Sequence, residues 1–440
     1  MSLLSLPNEL ILQVLQYGAP PDINAFLRTN RRLAKLLTDT LLDNIFRVRS
    51  RAYCKRALYC AADREDETMV NTLLEREVMG IVQDMTVPHN TPLLNNAVLT
   101  QNARVVGTLL ACGFDPNVCD SSARTPLCDA AEIARPEMVR VLLESEGIDV
   151  NHQDCASLTA LHLGINSGAG DLVQMLVDDE RVDVNLPDNH QEAALHRAVQ
   201  ACNREMVIRL LSSAKVDVNQ GGPNGITPLR LAISFEHECI VKELLQDPRI
   251  DVNQPMFDAP NWTPLHRLAR NTNEAIARLL LNHPWIEVNT TEIHNRTPLI
   301  LAAAFGCEIM LRRLLEHPDV DINYSASVWG SALPTTALFG RIDLVKLLLR
   351  DPRIDVNSRT PEGETPLHKA ANLCNRPIVQ LFLDDPRVDP DPVDNTGSTP
   401  LHIAGERGGV SVVRTLMAVD RVDVNKCDNR GYTPWHKAAR

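Results

Sequence analysis

The sequence predicts an all-α solenoid of repeated helix pairs, and three observations carry that expectation. A Thr-Pro-Leu signal or a near variant begins at Thr91, Thr125, Thr159, Ala193, Thr227, Thr263, Thr297, Ser331, Thr365, Thr399 and Thr433. Nine of the ten intervals are 34 residues, and Thr227 to Thr263 is 36. A second beat, Asp-Val-Asn, falls 24 residues into most units, as at 149–151, 183–185, 217–219, 251–253, 355–357 and 423–425. Apolar residues make up 44% of the 440 residues and aromatics only 4%. That balance suits a thin core extended by stacking better than the three ordinary cores that the length suggests.

Each part of the unit has a physical reading. Thr caps a helix by accepting an otherwise unpaired backbone N–H. Pro follows at the first helical position, where its missing N–H costs nothing. Leu points into the core, and His162, His196, His266, His368, His402 and His436 hold the fourth position. A second short helix carries an apolar cluster such as Leu344-Val345 with Leu347-Leu348-Leu349. Asp and Asn then close a turn by bonding nearby backbone, and about seven loop residues project before the next cap. A degenerate earlier copy stands at Ala57-Leu58-Tyr59-Cys60-Ala61-Ala62. No unit can bury its apolar face alone, so stability comes from stacking.

This pattern resembles the ankyrin repeat from about residue 55 to residue 440, in about eleven units and a C-terminal partial one. The tetratricopeptide unit shares the 34-residue period but needs Trp, Leu-Gly and Tyr spacings absent here. The residue beyond the usual ankyrin length lies in Asp-Pro-Arg-Ile-Asp-Val-Asn runs such as those starting at Asp247 and Asp351. The unit of Thr91 keeps a shorter Cys112-Gly113-Phe114-Asp115 turn. The resemblance implies helix–turn–helix units joined by hairpin loops, histidines that hydrogen-bond across the turn, and protein partners held by loop tips and the concave helix face.

The pattern changes in residues 1–50. Leu6, Leu10, Ile11, Val14 and Leu15 form an apolar stripe at helical spacing, Gly18 to Pro21 break it, and Asp22 caps a second helix with Ile23, Phe26 and Leu27. Thr29-Asn30-Arg31-Arg32-Leu33-Ala34 leads into a third, so residues 1–50 read as three helices and 51–440 as the array. Leu6-Pro7-Asn8-Glu9-Leu10 with the following Asp22-Ile23 and basic step resembles an F-box, and the combination is similar to fungal F-box/ankyrin proteins. The resemblance implies that Leu6, Pro7, Glu9, Leu10, Val14, Leu15, Ile23 and Phe26 meet the Skp adaptor of a cullin–RING ubiquitin ligase, or shape the helices that do, while the repeats select a protein substrate. The alternative is a non-enzymatic scaffold or inhibitor in which these helices only cap the solenoid.

Other chemistry finds little support. The eleven cysteines include no Cys-x-x-Cys pair and read as reduced thiols of a cytoplasmic or nuclear protein. No metal or cofactor is expected, because ligand spacing is missing and Gly168-Ala169-Gly170 lacks the strand that a phosphate loop needs. No nucleophile and base fall together in sequence, so a catalytic role is not expected. No apolar run approaches the ~18 residues that span a bilayer. The net charge is −12, with a balance of +5 in residues 1–56 and −17 in the remainder. That argues against nucleic acid as a partner and suggests a basic protein segment for the array.

The loops hold the sharpest local signals. The longer interval adds Met256, Phe257 and Trp262 near a loop tip, and Tyr324 and Trp329 occupy a loop two units on. These five are the candidate partner contacts; the alternative for the two Trp, which has the greater weight, is packing on adjacent loops. Ala193 lacks the capping hydroxyl, and Ser331-Ala332-Leu333-Pro334 keeps a cap but loses the first Pro, which suggests a softer joint over 331–340. Thr433 to Arg440 reads as half a first helix, from a truncated product or as partial cover for the preceding unit, with fraying expected over about the last six residues.

Overall fold

The computed structural model describes residues 51–75, 91–255, 261–270 and 272–439. The F-box-like residues Leu6, Pro7, Glu9, Leu10, Val14, Leu15, Ile23 and Phe26 lie outside the described residues, as do Met256 and Phe257. The described chain is helical, with an isolated bridge between Ala326 and Gly330 and no strand. It divides into two compact bodies, Met1–Asp217 and Val218–Arg440.

In the first body the helix pairs are α1 (Arg51–Asp63) and α2 (Glu67–Glu75), α3 (Leu93–Thr100) and α4 (Ala103–Ala111), α5 (Pro126–Glu132) and α6 (Pro136–Leu143), α7 (Ala160–Ser167) and α8 (Gly170–Asp178), and α9 (Ala194–Gln200) and α10 (Arg204–Leu211). The second holds α11 (Pro228–Ser234) and α12 (Glu238–Gln246), α13 (Pro264–Leu268) and α14 (Glu274–Leu281), α15 (Pro298–Phe305) and α16 (Glu308–Glu316), α17 (Ala332–Leu338) and α18 (Ile342–Leu349), α19 (Pro366–Asn372) and α20 (Arg376–Leu383), α21 (Pro400–Glu406) and α22 (Val410–Met417), and α23 (Pro434–Ala438). The degenerate copy at Ala57 is thus a genuine first pair. First helices pack on first helices, as α7 does between α5 and α9, and second helices on second helices, as α18 does on α20.

Such short helices are marginal alone, and their ends and faces explain why they form here. Thr125 accepts the Cys128 N–H at 3.3 Å, and Thr297 accepts that of Ile300 at 3.4 Å. Most second helices bury apolar residues one and four positions apart: Met138, Val139 and Leu142; Leu172, Val173 and Leu176; Leu344, Val345 and Leu348; Ile378, Val379 and Phe382. That spacing is one narrow stripe of a 3.6-residue helix. At Ala193 the hydroxyl is missing, but His196 Nδ1 still accepts the Ala193 N–H at 3.3 Å.

Ser331 departs from expectation. Its hydroxyl makes no cap bond and instead meets Ser358 Oγ at 2.9 Å in the loop before the next cap. Ala332 through Ala337 are nevertheless all buried, and Thr335 and Thr336 return their hydroxyls to Ser331 O and Leu333 O at 2.8 Å each. The packing there gives no reason for the softer joint expected over 331–340.

The Asp-Val-Asn beat also works differently from a purely local turn. Asp does close it: Asp149 accepts the Asn151 N–H at 3.1 Å. Asn reaches the neighbouring unit instead. Asn151 donates its amide to Arg181 O at 2.9 Å and accepts the Asp183 N–H at 2.8 Å. The same pair of bonds recurs at Asn117 to Gly147 and Asp149, at Asn253 to Trp285 and Glu287, at Asn323 to Arg353 and Asp355, and at Asn357 to Arg387 and Asp389.

The Asp-Pro-Arg residues that lengthen the unit add a further tie. Arg353 grips Asp351 and donates to Leu315 O at 2.7 Å, and Arg387 does the same with Asp385 and Leu349 O at 2.7 Å. Each thereby satisfies a carbonyl at the end of the preceding second helix. Loop tips approach closely as well. A Cβ at Gly397, whose φ is 77°, would lie 2.8 Å from Asn429 N, so only glycine fits.

Asn323→Ala removes two bonds between units and should lower stability by about 1–3 kcal/mol, read by urea denaturation, with faster hydrogen exchange at the Asp355 amide. Asn323→Asp keeps the acceptor and loses the donor, so an intermediate loss is expected.

Candidate functional site

The recurring histidines tie each first helix to the loop that leads to the next cap. His266 Nδ1 accepts the Thr263 N–H at 3.1 Å, which leaves Nε2 to donate to Arg296 O at 3.1 Å in the loop just before the next cap. His162, His368 and His402 make the same bonds to Glu192, Ser398 and Tyr432 carbonyls at 3.2, 3.0 and 2.9 Å. Burial disfavours the charged ring and pulls His162 and His266 down to about 4; it lowers His368 as well. Among the described residues no group of three or more His, Cys, Asp or Glu is placed to hold a metal ion.

A different buried pair serves where the fourth position is Cys128. Asn95 donates to Asp129 Oδ2 at 2.9 Å, and both side chains are buried. The Asn95 oxygen has no partner. Desolvation, only partly offset by the Asn95 bond, pushes the Asp129 carboxyl up to about 6.

One arrangement resembles a nucleophilic triad that the sequence did not bring together. Cys119 Sγ lies 3.5 Å from His152 Nε2, and Asp149 Oδ2 lies 3.7 Å from Nδ1. Nε2 is also 2.9 Å from Ala123 O, so it carries its proton there and cannot accept the thiol's. Burial and the charges of Asp120, Asp115 and Asp149 raise the thiol pKa, which is the wrong direction for a nucleophile. The geometry therefore builds no activated thiolate.

The surface carries a more regular feature. The ninth residue of the unit, at the end of each first helix, is an exposed apolar side chain in Leu99 and Ile133 of the first body and in Phe235, Phe305, Phe339 and Leu373 of the second. Phe305, Phe339 and Leu373 come from successive units and are 40, 42 and 43% exposed. Arg270 stands over the Phe305 ring at 4.8 Å from its centroid. Arg267 and Arg270 line a cleft of about 400 Å³ with Ser234, Glu236 and Thr272. Arg341 donates to Ala304 O at 3.4 Å and lies against Gly306, where a Cβ would sit 3.0 Å from its Cζ. Gly306 ends α15 with φ 82°, so this glycine serves both the turn and the arginine.

The aromatic residues singled out in the loops are partly engaged within the molecule. Trp329 is half-buried, meets Phe339 edge-on at 5.2 Å and has the Arg296 guanidinium 4.4 Å from its ring centre. Arg296 in turn is paired with the buried Glu292 at 2.7 Å. Trp262 is half-buried beside His266 at 6.2 Å, and Tyr324 is half-buried. The more exposed loop residues are Trp285 and Ile293, both 60%, and Val328 at 63%. Aligning the units by their caps exposes the ninth-position stripe; Trp285, at an ordinary hairpin position, left no comparable signal.

A family model described as ankyrin repeats (3 copies) matches residues 94–188, 161–256, 229–326, 333–426 and 378–440. No curated protein matches the chain. Among the described residues no helix is long and apolar enough to cross a membrane.

Two pH effects follow from the buried groups, with opposite signs. The His162 and His266 contributions are complete above about pH 6.5 and decline as pH falls towards 4, because the unfolded rings take protons that the folded ones refuse. Urea titrations across that window should show a shallower slope for His266→Gln than for the parent, by up to about 1.4 kcal/mol per pH unit. Asp129 has a raised pKa, so its contribution is complete below about pH 4 and is lost as pH rises through about 6. Asp129→Asn should therefore gain about 1–3 kcal/mol over the parent at pH 7.5, with the gain vanishing near pH 4.

Proposed function

The chain belongs to the ankyrin-repeat family, and we propose on that premise that it recruits a protein substrate to a cullin–RING ubiquitin ligase. The repeats make it a protein–protein interaction module. The finer reading rests on the Leu6-Pro7-Asn8-Glu9-Leu10 motif, with its Asp22-Ile23 continuation, standing directly before an array whose first helix starts at Arg51. In this reading Leu6, Pro7, Glu9, Leu10, Val14, Leu15, Ile23 and Phe26 supply or shape the surface for a Skp-type adaptor. The array holds the substrate, and the chain itself catalyses nothing, in the cytoplasm or nucleus where such ligases act. The exposed first-helix ends and loop tips support the substrate half, since apolar and arginine side chains are the usual anchors of protein interfaces.

Purified Skp adaptor should bind the full chain. Leu10→Asp with Leu15→Asp should weaken that binding by at least about 100-fold, because each places a charge in an apolar contact. Circular dichroism should show the helical content retained. Equal binding by the double variant, or no binding by the parent, would sink the ligase reading and leave a scaffold or inhibitor.

A further inference from the structure

We propose that the first-helix ends of residues 264–373 form a docking strip for an extended acidic protein segment in which carboxylates alternate with apolar side chains. The inference rests on the reading of the array as a protein-interaction module and names the chemistry of its partner.

The chain as a whole is acidic, at −12, which by itself points to a basic partner. The local pattern is the reverse. Among the described residues, the carboxylates at the starts of α14, α16 and α18 are already paired: Glu274 with Arg278 and Arg313, Glu308 with Arg312, Asp343 with Lys346; Glu238, at the start of α12, accepts the Asn273 amide instead. Arg267 and Arg270 at the end of α13, and Arg341 at the N-cap of α18, form no ion pair among the described residues. Glu236 is the acidic group that shares the Arg267–Arg270 cleft. Guanidinium groups held this way are suited to bidentate carboxylates.

Position matters as much as charge. Arg270 is held over Phe305, and Arg341 lies against Gly306 beside it. Phe339 and Leu373 then follow in the next two units, each about two-fifths exposed. Stacked helices stand ~8–10 Å apart, and an extended chain advances about 3.3 Å per residue. A segment lying across the strip thus meets a new unit at roughly every third residue. Its apolar residues would cover Phe305, Phe339 and Leu373, and its carboxylates would reach the arginines between them.

The test pans a random 16-residue phage-displayed peptide library against the full chain and measures the selected peptides by fluorescence anisotropy on the parent, on Arg267→Glu with Arg270→Glu, and on Phe339→Ser. Enrichment of peptides with acidic residues between apolar ones at a spacing of about three is expected. Their affinity should fall at least tenfold on the arginine variant and on Phe339→Ser, and also when the peptide's Asp and Glu become Asn and Gln. Selection of peptides without that pattern, or equal binding to the arginine variant, overturns the strip while leaving an interaction module in place. Failure to select any peptide overturns the strip and the interaction reading together. Circular dichroism of both variants confirms that these exposed substitutions leave the helices folded.

Discussion

The paired hydrogen bond from the Asn of the Asp-Val-Asn turns to the backbone of the following unit is the constraint on which the rest depends. One amide side chain satisfies a carbonyl and an N–H in the next unit, as Asn323 does with Arg353 and Asp355. Both partners are backbone, so the bond fixes spacing and register without depending on which side chains the next unit carries. The apolar triplets of the second helices can then meet in the same relative position at every step. The histidine bond repeats the device at the opposite end of the unit, from the first helix to the next loop.

These ties place polar groups in a thin core, and that has an electrostatic cost. A neutral imidazole with one donor and one acceptor occupied fits such a site, and burial keeps it neutral through most of the acid range. A carboxylate in the equivalent interior is less well suited. Asp129 has one amide donor against it and sits beside an Asn95 oxygen with no partner, so its charge is held at a loss near neutral pH. The array is chemically uneven in this respect even though its backbone repeats faithfully.

The surface divides in the same way. Trp329 was legible as a large residue beside a loop, and its fate was not. The ring is trapped between Arg296, from the preceding unit, and Phe339, at the end of the first helix that follows. Loop aromatics that pack within the molecule cannot be told from exposed ones by position alone, because the difference lies in what a residue about 30 positions away contributes. Trp285 illustrates the converse. It follows an ordinary His-Pro pair, yet it stands 60% exposed, meeting the His283 ring edge-on.

By itself the sequence determined the helix pairs, their period, the caps, the buried faces and the family, because each of these is set by contacts within about 34 residues that recur ten times over. Repetition turns a weak local signal into an unambiguous one. Tertiary structure decided which polar residues leave their own turn to bond a neighbour, as Asn151 and Ser331 do, and which surface residues converge. Phe305 is separated along the chain from Phe339 and Arg341 by a second helix, a loop and a first helix, and only stacking brings them onto one strip. The physical reason is that stacking pairs each residue with one a full unit away, a distance at which composition and periodicity carry no information about contact.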